Sequence, residues 1–232
     1  MGARLVRWWN RMRPIRSRSE SSPPRRWVIV DVESSGLDAR RDRLLAIAAV
    51  AVVFVPTRTG EPARPSIVLA DSFEAVLRQE DPAAEPIDKG NILIHGIGLG
   101  AQRQGIPPDA ALSAWLSFLG DSPLVAYHSD FDQTMIDRAC RRHLGHGLAA
   151  RWLDLEPVAA VLHQEPQRRP LDDWLKRYRI DCLSRHQAAA DTLATAQLML
   201  LVWPKLPTRV RAGGFEAVLD YANGHRFIPG RH

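Results

Sequence analysis

An α/β fold is expected: a mixed sheet of a three-stranded antiparallel meander plus parallel strands, flanked by helices. Three observations lead there. Three strand-like segments come first, separated by short turn-rich stretches. Two short apolar segments then alternate with helical patterns, the mark of parallel additions to a sheet. The longest unbroken apolar run, Leu44 to Val55, has 12 residues, which is too short to span a bilayer and suits a buried strand. No membrane association is expected.

Residues 1–26 read as a disordered basic arm. Pro14, Pro23, Pro24 and the serines between them break any long helix, and no apolar segment resembles a secretory signal. Its Arg/Ser composition is similar to an organellar transit peptide. An arm that touches phosphate or a partner fits equally well, as does a tail with no dedicated role. Residues 27–205 form the expected domain, and 206–232 a short C-terminal extension packed on it.

Trp27–Glu33 is the first expected strand, with Ser34 to Asp38 as a turn. Leu44–Val55 is the second, and the Pro/Gly/Thr stretch 56–65 returns the chain into a third, Ser66–Leu77. Residues 82–105 are loop-rich around His95-Gly96-Ile97. Asp109–Leu119 is amphipathic and helical, with Leu112, Trp115 and Leu116 on one side. Leu124–Tyr127 is a short strand, Asp132–Leu144 a helix, and Trp152–Leu155 another short strand. Helices are expected at Val158–His163, Leu171–Tyr178, Gln187–Leu201 and, at the end, Gly213–Tyr221.

The net charge of +5 belongs to the arm. Residues 1–26 hold eight arginines against Glu20 alone, which leaves 23 basic and 25 acidic side chains in the remaining 206 residues, a balance of −2. The folded part therefore has no overall electrostatic footprint for nucleic acid, although a local basic groove is compatible with it. Cys140 and Cys182 give neither a disulfide framework nor zinc spacing, so a reducing, cytoplasmic compartment is expected.

Four acids and one histidine occupy telling positions. Asp31 and Glu33, two apart on a strand, share its face with Ile29. Two adjacent carboxylates repel unless a cation lies between them, although a solvated strand end is an alternative. Asp132 is in register with Met135, Ile136 and Ala139, so it projects toward the core; the alternative is a helix cap, for which Ser129 and Asp130 are better placed. Asp191 shares the stripe of Ala188, Ala194 and Leu198, and a buried carboxylate there needs a metal or a salt bridge to one of the many arginines. His186 would lie about 140° from Asp191 if both were helical, so the two meet only if His186 sits in the preceding loop. A neutral imidazole there can act as general base; a structural histidine is the plainer alternative. The Ser34-Ser35-Gly36-Leu37 turn offers N–H groups and hydroxyls to a substrate.

Together these segments resemble the DEDDh family of 3′–5′ exonucleases, the group that includes the proofreading ε subunit of bacterial DNA polymerase III. Val30-Asp31-Val32-Glu33-Ser34-Ser35-Gly36-Leu37 is close to the family's D-x-E-T-T/S-G-L, Val125–Asp132 to V-A-H-N-A-x-F-D, and His186–Asp191 to H-x-A-x-x-D. His95-Gly96-Ile97, Leu153-Asp154-Leu155 and Leu171–Leu175 fall between them in the family's order, and the resemblance covers roughly 27–203. Tyr127 and His128 replace the family's His-Asn, and Ser34 its first threonine.

The resemblance implies a ribonuclease-H-like fold and hydrolysis of nucleic acid 3′ ends to nucleoside 5′-monophosphates. Asp31, Glu33, Asp132 and Asp191 would hold two Mg²⁺ or Mn²⁺ ions, and His186 would take the proton from the attacking water. Ser34, Ser35, Gly36, Leu37, His95 and His128 would contact the terminal nucleotide. Single-stranded DNA is preferred to RNA as substrate, although no motif reports on the 2′-OH. Three rivals stay open: a polymerase-accessory subunit, an RNA-end-trimming exoribonuclease and a metal-free nucleic-acid-binding module. A stand-alone nuclease is preferred to a polymerase-bound one because no long C-terminal tether follows residue 205.

Overall fold

The computed structural model describes residues 25–57, 60–80, 96–182 and 184–229. The arm up to residue 24, and His95, lie outside these residues. Five strands, β1 (Arg26–Ser34), β2 (Leu44–Val55), β3 (Arg64–Val76), β4 (Leu124–Ala126) and β5 (Trp152–Asp154), form one sheet in the order β3-β2-β1-β4-β5. β1, β2 and β3 are an antiparallel meander, and β4 and β5 add in parallel to β1. This is the expected mixed sheet.

Its helices are α1 (Leu99–Gln104), α2 (Pro108–Leu119), α3 (Asp130–Leu144), α4 (Leu155–His163), α5 (Leu171–Tyr178), α6 (Ala188–Val202), α7 (Thr208–Ala212) and α8 (Gly214–Asn223). β1 is apolar on both faces because helices cover both. Val28, Val30 and Val32 pack with Trp115 of α2 and with Met135 and Ile136 of α3. On the other face Trp27 and Ile29 pack with Trp174 of α5, Leu198 of α6 and Phe215 of α8. Phe215 meets Trp27 edge-on, with ring centroids 5.0 Å apart, so residues beyond 205 contribute to this core. Two short helices go beyond the sequence-based expectation. α1 lies between Gly98 and Gly105, and α7 follows Pro207; neither is long enough to display a 3.6-residue period. Among the described residues, no helix is long and apolar enough to cross a membrane.

β3 is the exposed edge. Its register against β2 jumps from Val50↔Ser72 to Ala51↔Val68, which leaves Leu69-Ala70-Asp71 as a bulge. Asp71 there accepts both Nε and Nη2 of Arg26, at 2.8 and 3.0 Å, while Arg26 also donates to Ser122 Oγ at 2.8 Å. Arg26 thus belongs to the first strand rather than to the arm.

The feature that creates the site is a mismatch in strand length. β1 pairs with β4 only at Val28 and Ile29, yet continues to Ser34. Asp31 and Glu33 project from that overhang.

Candidate active site

Each acid is placed by a different local device. On the overhang of β1 the Val32 N–H, pointing to where β4 has ended, has no strand partner. Asp132, in the first turn of α3, accepts it with its carboxylate and is only 5% exposed. Glu33, on the opposite face from Val32, accepts the N–H of Ala188, the first residue of α6. The positive end of that helix favours the carboxylate. Thr192 fixes α6 to the sheet by donating to the Ala48 carbonyl at 3.1 Å. Asp191, one turn into α6, therefore faces β1 and is 6% exposed.

The electrostatics show that these acids share one place. Asp31 keeps some solvent contact, yet its carboxyl is held well above the usual range, first by lost hydration and then by repulsion from Asp132, Asp191 and Glu33. Burial, then repulsion from Asp191, pushes Glu33 up to about 8. Burial also raises Asp132, with Asp154 and Glu33 adding repulsion. Such mutual repulsion is relieved by a cation.

Asp191 already has one. Its Oδ1 is in an ion pair with Arg185 Nη1, and the Cys182 thiol donates to the same oxygen at 3.6 Å. Oδ2 accepts the His186 N–H at 3.0 Å. The arginine alternative for Asp191 is thus present alongside the acid cluster. Among the described residues, no three His, Cys, Asp or Glu side chains form a ready-made metal cage. His186 lies in the loop before α6, in the left-handed region (φ +61°), with its side chain exposed. Its backbone, not its imidazole, is what now touches the acids.

The turn after Glu33 is tightly bracketed. Ser35 Oγ accepts the Arg43 N–H at 2.9 Å, and Asp42 Oδ2 accepts the Asp38 N–H at 2.7 Å. A Cβ on Gly36 would lie 2.5 Å from Asp42 Oδ2, so the Asp42 carboxylate and its bond to the Asp38 N–H would have to shift. Ser34 Oγ donates to the Gly36 carbonyl at 2.5 Å. The bracket presents Leu37, 93% exposed, beside the acids.

His128, half-buried, meets the site through Asp154. Its backbone (φ +58°) donates to Asp154 Oδ1 at 2.9 Å, its ring packs on Tyr127, and its Nε2 is buried without a hydrogen-bond partner. Burial lowers its pKa, which favours the neutral ring. Tyr127 donates its hydroxyl to the Arg169 carbonyl at 2.5 Å.

Asp154 and Arg185 are the residues that sequence reasoning missed. Asp154 ends β5, caps α4 through the Glu156 N–H at 3.1 Å, and raises Asp132 by repulsion. An acid between a strand and a helix reads as an N-cap, and here it is one. Arg185, adjacent to His186, had only its position as a signal.

The comparisons with known proteins agree with this fold. The model of the RNase T exonuclease family matches residues 28–199. DNA polymerase III PolC-type of Bacillus subtilis is 28% identical over 177 residues, 75% of this chain, and that of Latilactobacillus sakei 26% over 173 residues, also 75%. In each case the match spans 11% of the polymerase. Among solved structures, exonuclease I superposes with a TM-score of 0.65 at 19% identity, covering 88% of this chain and 44% of that one. E. coli exonuclease I in complex with a dT13 oligonucleotide gives 0.63 at 19% identity over 78% and 42%, and cell-death related nuclease 4 gives 0.58 at 14% over 77% and 64%. At these identities the structural likeness is one of fold. The family match covers most of the chain, including Asp31, Glu33, Asp132, His186 and Asp191, and so this chain belongs to the RNase T exonuclease family of DEDD-type 3′–5′ exonucleases.

Proposed function

We propose that this chain shortens single-stranded nucleic acid, DNA in preference to RNA, from its 3′ end by metal-dependent hydrolysis that releases nucleoside 5′-monophosphates. The observation that carries the reading is the mutual repulsion of Asp31, Glu33, Asp132 and Asp191, gathered where β1 overhangs β4. The donor set fits hard divalent cations: it is all oxygen, and its repulsion calls for positive charge. Asp31, Glu33, Asp132 and Asp191 would hold two Mg²⁺ or Mn²⁺ ions. Such a pair, when bound, stabilises the attacking and leaving oxygens of an in-line displacement. His186 turns inward and accepts the proton of the attacking water at its ring nitrogen. Ser34 and Ser35 position the terminal 3′-OH, and Leu37 packs on the terminal base. His95 belongs to the same proposed contact set. His128, whose N–H donates to Asp154, completes that set.

Two neighbours favour single-stranded DNA as substrate, since exonuclease I is described in complex with dT13 and dA16 oligonucleotides. The PolC-type relatives favour association with a DNA polymerase as a second setting for the same activity.

The test is degradation of 5′-labelled single-stranded DNA and RNA with Mg²⁺, with EDTA, and by His186→Ala. A metal-dependent ladder shortening from the 3′ end and lost in the variant is expected. Intact substrate with both Mg²⁺ and Mn²⁺ would overturn the reading and favour a non-catalytic binding module.

A further inference from the structure

Asp191 is fully engaged by its own chain. One ion pair and two hydrogen bonds serve its two oxygens, from the Arg185 guanidinium, the Cys182 thiol and the His186 N–H, all within the short segment that leads into α6. Arg185 bridges outward as well, its Nε donating to Asp172 Oδ1 at 2.5 Å in the first turn of α5. Asp191 is 8% exposed at its side chain, Arg185 25% and Asp172 61%, so the arginine spans from the interior of the cluster to its rim. Its charge also reaches the other acids, drawing Asp31 and Glu33 down against their mutual repulsion.

A guanidinium and a divalent cation cannot share one carboxylate oxygen without close repulsion between them. Asp191 Oδ1 is held by the arginine, and Asp191 is one of the acids assigned to the metal pair. Arg185 also has a second anchor at the rim, so leaving Asp191 does not strand it.

We propose that Arg185 is a displaceable internal counter-ion. It neutralises Asp191 in the metal-free protein and is displaced from it, keeping its hold on Asp172, when a divalent cation binds. The inference rests on the proposed metal role of the four acids. The arrangement keeps a repelling cluster folded without metal, at the expense of metal affinity. A partly buried charged contact of this kind corresponds to about a tenfold effect in a binding constant.

The experiment is Mn²⁺ titration, by calorimetry and by electron paramagnetic resonance of free Mn²⁺, on wild type, Arg185→Gln and Arg185→Lys without nucleic acid. Arg185→Gln is expected to bind Mn²⁺ about tenfold more tightly, and Arg185→Lys, which keeps the charge but loses the fork, between the two. Arg185→Gln binding no tighter than wild type overturns the inference. A thermal double-variant cycle in EDTA, with Arg185→Gln and Asp191→Asn alone and combined, provides a measurement free of metal. Non-additive melting shifts are expected, and additive ones overturn the pairing. If wild type binds no Mn²⁺, the metal reading itself fails and this inference falls with it, an outcome distinct from binding that Arg185→Gln leaves unchanged.

Discussion

Asp132 and Asp191 are both buried aspartates in the first turn of a helix, yet they are held in opposite ways. Asp132 accepts the backbone N–H of Val32, part of the sheet, and lies among other acids, with no arginine paired to it among the described residues. Asp191 is held by Arg185 and His186, from a loop. One half of the site is tied to the backbone of β1. The other half is set by a segment whose side chains can exchange partners. The carboxyl is raised by lost hydration and repulsion in the first setting and paired with an arginine in the second.

Asparagine substitutions should separate the two most strongly. Either Asp132→Asn or Asp191→Asn should lower nuclease turnover by on the order of 10²–10³ or more, the scale of removing one preorganised electrostatic group. Their effects on the metal-free fold should diverge. Asp132→Asn relieves repulsion and should raise the melting temperature in EDTA. Asp191→Asn leaves Arg185 without its inner partner and should lower it, by less than the roughly 3–5 kcal/mol of a fully buried pair, because Arg185 keeps Asp172 and a quarter of its exposure. Equal shifts in both would erase the distinction.

His186→Ala should reduce turnover by about 10²–10⁴, the range for a general base, while Mn²⁺ titration stays close to wild type, since its imidazole touches none of the acids. Weakened metal binding in that variant would assign the ring to the metal instead.

Acidity sharpens the contrast further. Glu33 titrates near 8 in the folded protein against an ordinary value of 4.5. A group raised in this way contributes stability that is fully present below about 4.5 and is lost as pH rises through about 8. Melting temperature in EDTA should therefore fall between pH 5.5 and 8.5, and Mg²⁺ should restore it most at the alkaline end. A profile that rises with pH in EDTA would contradict the shared-repulsion account.

The smallest effect concerns Leu37. Leu37→Ala should change stability by no more than about 0.5 kcal/mol, as expected for an exposed side chain, while KM for oligonucleotide rises severalfold. An unchanged KM would remove Leu37 from the substrate contacts.

Much of this was legible in the chain. β2 and α5 end where periodicity and turn residues place them, because twelve apolar residues between Arg43 and Pro56, and a helix between Pro170 and Arg179, leave little choice. The inward stripe of α3 showed Asp132 facing the core. What could not be read was pairing. Any of 28 arginines might have neutralised Asp191, and choosing Arg185 needs the conformation of residues 182–187 in space. Asp154 was hidden for another reason: capping a helix and pressing on Asp132 leave the same signature. His128 matched a motif position, but the packing of its half-buried ring on Tyr127 is a contact that a motif does not report.

The overhang of β1 past β4 has a consequence for how this protein can change length. Only residues 127–129 separate β4 from α3, and His128 there already holds a left-handed turn. One inserted residue would rotate α3 and withdraw Asp132 from the Val32 N–H. The ends of β2 and β3 at Val55 and Arg64 lie at the other end of the sheet from Glu33. Insertions, tags and fused partners belong there, where added chain costs only slowly growing closure entropy.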